Sequence, residues 1–115
     1  MKHFKREEFA CKHCGENEID THFLERLDRA RDISGVPYII NSGYRCEVHN
    51  SNVGSTSRNH TSGKAADIKA INSYERMKII YGLIMAGFTR IGVAKTFIHV
   101  DSMKDGVPVT ACWFY

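Results

Sequence analysis

The sequence holds no apolar run approaching the roughly 20 residues of a membrane span. Its opening stretch, Met1 to Phe9, carries charges where a secretory leader needs an apolar segment. These two absences predict a soluble protein made in the cytoplasm without export and with no membrane partner. No Lys/Arg run interleaves with aromatic side chains, so a nucleic-acid partner is not expected; the formal net charge of +3 is a mild basic bias that suits an anionic polymer. Repeats, low-complexity tracts and linkers are also missing, with the glycines and the two prolines spread singly. At 115 residues the chain is long enough for one domain, 1–115, and too short for two. A monomer is the working expectation.

What is present is an ordinary globular mixture. With 43% hydrophobic and 25% charged residues, a packed core is expected rather than disorder. Asp20 is placed to cap a helix in which Phe23, Leu24, Leu27, Ala30 and Arg31 recur at helical spacing, with Gly35 and Pro37 as stop signals. Tyr38–Asn41 reads as a short strand, Ser42-Gly43 as a turn, and residues 44–52 as either helix or loop. After a loop from Gly54 to Gly63, Ala65–Ala70 reads as a strand. Ser73 is expected to cap a second helix whose apolar face includes Met77, Ile80, Tyr81, Ile84 and Met85, closed by Gly87. Thr89–Val93, Thr96–Asp101 and Cys112–Tyr115 alternate as short strands do. The pattern predicts an α+β fold: two main helices packed against a small, largely antiparallel sheet.

Two segments carry chemistry. In His60-Thr-Ser-Gly-Lys-Ala-Ala-Asp67, a loop histidine precedes a glycine turn and an aspartate follows inside a strand. Alternation places Asp67 on one strand face with Ala65 and Lys69, while Ala66 and Ile68 face the other way; Gly63 lets the chain reverse so that both side chains converge. In Phe97-Ile98-His99-Val100-Asp101, period two puts His99 and Asp101 on one face and the packing residues Ile98 and Val100 on the other. Two histidines and one aspartate can hold zinc with the fourth position open to water, the arrangement of a catalytic site. The blander alternative is a structural pair of His99 with a neighbouring carboxylate.

These residues, with Ser42-Gly43-Tyr44-Arg45, resemble the zinc D-Ala-D-Ala carboxypeptidase and L-alanyl-D-glutamate peptidase family. Its members have the hedgehog-type fold and trim the stem peptides of peptidoglycan. The similarity runs from Phe4 to about Trp113 and is greatest to compact, endolysin-like phage and bacterial members. It implies Zn2+ on His60, Asp67 and His99, and Arg45 at the substrate carbonyl or its oxyanion, the alternative being a surface Arg paired with a helix carboxylate. Many members carry an acid or a His two or three residues before the late zinc histidine; here Phe97 and Thr96 stand there. Asp101 is then the expected catalytic base, or else a partner that orients a ligand. A Ser usually found two residues before the first ligand is Arg58 here, with Ser57 one step back. Ser57, Arg58 and His49 are the expected substrate-binding residues.

Cys11-x-x-Cys14 and Cys46-x-x-His49 have the composition of a second, structural metal site. Buried thiols or a Cys11–Cys14 redox pair are the alternatives. The expected activity is hydrolysis of a stem-peptide bond, either D-Ala-D-Ala or L-Ala-D-Glu, at a cell wall reached by some other delivery route. Two rivals are a non-catalytic, zinc-containing module that binds cell wall or protein, and a purely structural zinc protein.

Overall fold

A computed structural model of the chain describes residues 2–52 and 59–115, with His49 described by its backbone alone. Along the described residues the order is a 3-10 turn (Arg6–Phe9), α1 (Thr21–Ser34), β1 (Ile40–Ser42), α2 (Glu47–Asn52), β2 (Ala65–Lys69), α3 (Ser73–Met85), β3 (Arg90–Val93), β4 (Phe97–Asp101) and β5 (Ala111–Phe114).

Helix α1 begins and ends where its sequence predicts. The Asp20 side chain accepts from Phe23 N, a cap worth about 1 kcal/mol. Gly35, in the left-handed region at φ 72°, returns its N–H to Arg31 O. The buried face carries Phe23, Leu24, Leu27 and Ala30.

Helix α3 departs from expectation twice. Its cap is Asn72, whose side chain accepts from Glu75 N, and Ser73 is already helical. Its buried side is Ile79, Gly82 and Leu83, whereas Met77, Tyr81, Ile84 and Met85 are exposed and Ile80 only borders the core. Gly82 explains the inversion. A Cβ there would stand 1.9 Å from Ser34 Oγ and 2.4 Å from Ala30 O, so α3 closes on α1 where the side chain is missing.

Among the described residues the sheet has five strands in the order β1-β2-β4-β3-β5. The pairs β1–β2, β2–β4 and β3–β4 are antiparallel, but β5 runs parallel to β3. The sheet is therefore mixed rather than largely antiparallel. Asp101, at the end of β4, and Ala111, at the start of β5, both pair with Arg90. The connection passes round one end of the sheet and over a single strand, which forces β5 to run against β4 and hence along β3. Ala66, Ile68, Ile98 and Val100 face the two long helices and are fully buried with Leu27, Ile79 and Leu83. The opposite face carries the polar residues of β2 and β4.

Candidate functional site

Strand register assembles the site. Asp67 on β2 lies opposite His99 on β4, and Ala65 lies opposite Asp101. On the other side of β4, Gly92 pairs with His99 and Arg90 with Asp101. Directly paired residues project to the same face, so one face presents Asp67, His99 and Gly92 in a row, with Asp101 and Arg90 beside it.

His60 arrives from the turn before β2. Gly63, at φ 75°, has its Cβ position 2.1 Å from Glu18 O, and its own carbonyl accepts from Asp20 N at 2.7 Å. The turn is thus pressed against the start of α1, and a side chain at this position would push it away. His60 Nδ1 lies 2.8 Å from Gly43 O. A carbonyl only accepts, so Nδ1 carries a proton and donates to it, and Nε2, 3.4 Å from Asp67 Oδ2, is the ring nitrogen turned to the cleft.

His99 is held on both sides, with Nδ1 2.9 Å from Asp67 Oδ1 and Nε2 2.7 Å from Asp101 Oδ2. Asp101 is itself gripped: its Oδ1 accepts from Arg90 Nε at 2.6 Å and from Met103 N at 3.1 Å. The Arg90 guanidinium donates to Pro108 O at 2.7 Å and lies 5.0 Å from the centre of the Trp113 ring. Burial alone would lower the His99 pKa, yet the hydrogen bonds to Asp101 and Asp67 raise it in the metal-free protein. Burial likewise opposes ionisation of Asp67, but His60 and His99 hold its carboxyl well below the usual carboxylate range. Asp101 is lowered against the same burial by His99 and Arg90.

The donor set fits a metal ion. One ligand atom from each of His60, Asp67 and His99 lies within 4.8 Å of the others. Each imidazole has its remote nitrogen committed, His60 to a carbonyl and His99 to a carboxylate, as metal-bound histidines do. Arg45 stands at the same cleft. Its Nε donates to Ser42 Oγ at 3.0 Å, its Nη1 to Asn50 Oδ1 at 3.2 Å, and its Nη2 lies 3.5 Å from Asp67 Oδ2. The cleft, about 200 Å³, is lined by Arg45, Asn59, His60, Asp67, Phe97, His99 and Tyr115.

A family model described as Peptidase M15 matches residues 2–101. The chain belongs to the peptidase M15 family. Curated proteins gave no match to it. M15 peptidases are metal-dependent, and the described residues of this one contain two groups able to hold a metal: His60, Asp67 and His99, and a cluster of Cys11, Cys14 and Cys46.

In this M15 peptidase the structure brings His60, Asp67, His99 and Arg45 to one cleft. It does not bring Asp101 there. The Asp101 side chain has no exposed surface, and both its oxygens are engaged, so it sits behind His99 instead of facing substrate. The expected base is thus geometrically an orienting partner of His99. Ser57 and Arg58 lie outside the described residues, and His49 lies on α2 without a described side chain.

Sequence reasoning missed Arg90, Trp113, Tyr115 and the Gly43 carbonyl. The first three reach the site through β3 and β5, elements whose pairing is not local. One signal was available. Gly92 interrupts a strand, and a Cβ there would lie 2.6 Å from Trp113 Nε1 and 2.8 Å from Tyr115 Cε2. The bare backbone admits both rings, whose centres lie 5.6 and 6.5 Å from that of His99.

Proposed function

We propose that this M15 peptidase is a zinc hydrolase acting at the cell wall, where it cuts an amide bond in the stem peptide of peptidoglycan, with His60, Asp67 and His99 as the ligands. The observation that carries the reading is the convergence of two buried imidazoles and a buried carboxylate beside an anchored arginine. Zinc bound there would lower the pKa of a water to roughly 7 and polarise the scissile carbonyl.

The remaining work falls to the chain's own side chains. Asp101, held by Arg90, fixes the His99 ring with Nδ1 turned toward the ligand set. Arg45, fastened by Ser42 and Asn50, offers its guanidinium to the oxygen that becomes negative as the carbonyl is attacked. Tyr115 also lines the cleft, and its phenol, with a pKa above the ordinary value of about 10, is protonated at neutral pH. Among the described lining residues Asp67 is the sole carboxylate, and it is a ligand. Polarisation and oxyanion stabilisation therefore supply more of the rate than a strong protein base.

That last point also favours a second reading, a binding module that retains the metal and does not cut. Mass analysis of purified stem peptides separates the two. Zinc-loaded protein is expected to cleave either the terminal D-Ala-D-Ala bond or the L-Ala-D-Glu bond, and chelation or His99→Ala to stop it. Intact peptides across both bond types would leave the binding module as the answer.

A further inference from the structure

We propose that Cys11, Cys14 and Cys46 hold a second zinc ion, with His13 as the fourth ligand, and that this ion clamps the N-terminal segment onto the backbone carrying Arg45. The inference does not depend on the peptidase reading, because it shares no ligand with the His60 site.

One sulfur from each cysteine lies within 4.8 Å of the others, and His13 Nδ1 lies 3.8 Å from Cys46 Sγ. Corners of a tetrahedral zinc–thiolate site are about 3.8 Å apart when Zn–S is about 2.3 Å, so only a small contraction closes the set. No disulfide joins these sulfurs.

The surroundings of Cys11 suit a thiolate. Cys11 is buried, Cys46 N–H lies 3.4 Å from its Sγ, and the backbone N–H groups of His13 and Cys14 are also directed at it. Several N–H donors around one sulfur stabilise negative charge there, as outer-shell donors do for metal-bound cysteine. The turn is formed by backbone bonds. Cys11 N–H donates to Glu16 O at 2.7 Å, Gly15 N–H donates to Cys11 O at 2.8 Å, and Gly15 takes a positive φ of 78°. A Cβ on Gly15 would meet nothing within 4 Å, so the glycine serves conformation and not space. The resulting loop turns the two sulfurs of Cys-x-x-Cys-Gly toward Cys46.

The clamp joins segments far apart in sequence. Tyr44 N–H donates to Phe9 O at 2.8 Å, and a Cβ on Gly43 would lie 2.7 Å from Phe9 Cα. Between Gly43, whose carbonyl fixes His60, and Cys46 stands Arg45. Tying Cys46 to Cys11 and Cys14 therefore fixes the backbone on both sides of Arg45.

The test uses the full chain, purified under reductant, stripped of metal and reloaded with zinc or cobalt alone. Wild type is expected to take up two zinc ions, and both Cys14→Ser/Cys46→Ser and His60→Ala/His99→Ala to take up one. Cobalt-loaded wild type and His60→Ala/His99→Ala should show thiolate-to-metal charge-transfer absorption, absent from the cysteine variant. His13→Ala should weaken this second ion's affinity by at least tenfold and His49→Ala should not; the reverse would overturn the assignment of His13. Should the cysteine variant not fold, alkylation of wild type decides. Zinc should protect Cys11, Cys14 and Cys46, while exposed Cys112 on β5 stays reactive. A single zinc per wild-type chain, no thiolate band and four thiols alkylated equally with and without zinc would overturn the proposal.

Discussion

Asp101→Asn separates a base from an orienting partner. In the structure the carboxylate is fully buried, receives His99 Nε2 at 2.7 Å and stands 2.6 Å from Arg90 Nε. Asparagine keeps the shape but has one acceptor oxygen for the donors that the carboxylate serves from both sides. Either His99 loses its acceptor or Arg90 does, and each charge-assisted bond is worth about 1.5–3 kcal/mol. Loss of such a histidine partner typically weakens metal binding 10–100-fold, equivalent to about 1.4–2.8 kcal/mol. The expected result is a zinc Kd raised by that factor, measured by competition with a chromophoric chelator. Most of kcat on the stem peptide should return once zinc is saturating. A base would behave in the opposite way: zinc affinity would hold while kcat fell by about 10²–10⁴ at saturating metal. That second outcome would refute the placement of Asp101 behind His99.

Arg45→Ala should lower kcat by about 10²–10³ with zinc content unchanged, as for removal of an oxyanion donor; a kcat within threefold of wild type would remove Arg45 from the mechanism. Gly92→Ala should drive Trp113 and Tyr115 off the His99 ring, at a cost of about 1–3 kcal/mol for overpacking. Because the chain has one tryptophan, a shifted emission spectrum together with a lower Tm reports this directly, and an unchanged pair of readings would contradict it. In metal-free protein the raised His99 pKa contributes stability that is complete below its unfolded value of about 6.5 and is lost as pH rises through the folded value. Asp67 and Asp101 are lowered, so their contributions are present above about pH 4 and are lost as pH falls through their folded values. Chelated protein should accordingly melt at the highest temperature between roughly pH 4 and 6.5. Zinc must displace the His99 proton, so the stabilisation it adds should grow with pH; a chelated Tm that climbed from pH 6.5 to 8 would be the contrary result.

The sequence by itself determined what is local. Asp20, the spacing of Phe23, Leu24, Leu27 and Ala30, and Gly35 set the limits of α1, because caps and helical period act over a few residues. Alternation put Asp67 on the face opposite Ala66 and Ile68, and His99 opposite Ile98 and Val100, because side chains along a strand alternate whatever the strand pairs with. Only tertiary structure decided the rest. Met77, Tyr81, Ile84 and Met85 belong to the apolar stripe of α3 in the sequence yet are exposed, since a glycine contact such as Gly82 adds no apolar signal. The parallel course of β5 followed from the path of a loop round the sheet. The meeting of Cys46 with Cys11 and Cys14 depends on Phe9 packing against Gly43. Asp101 shows the division most sharply. Period two put it on the face of His99, but Arg90, contributed by β3, turned its carboxylate into a support for that ring. Alternation fixes the side of a strand on which a residue stands, and only pairing decides what stands behind it.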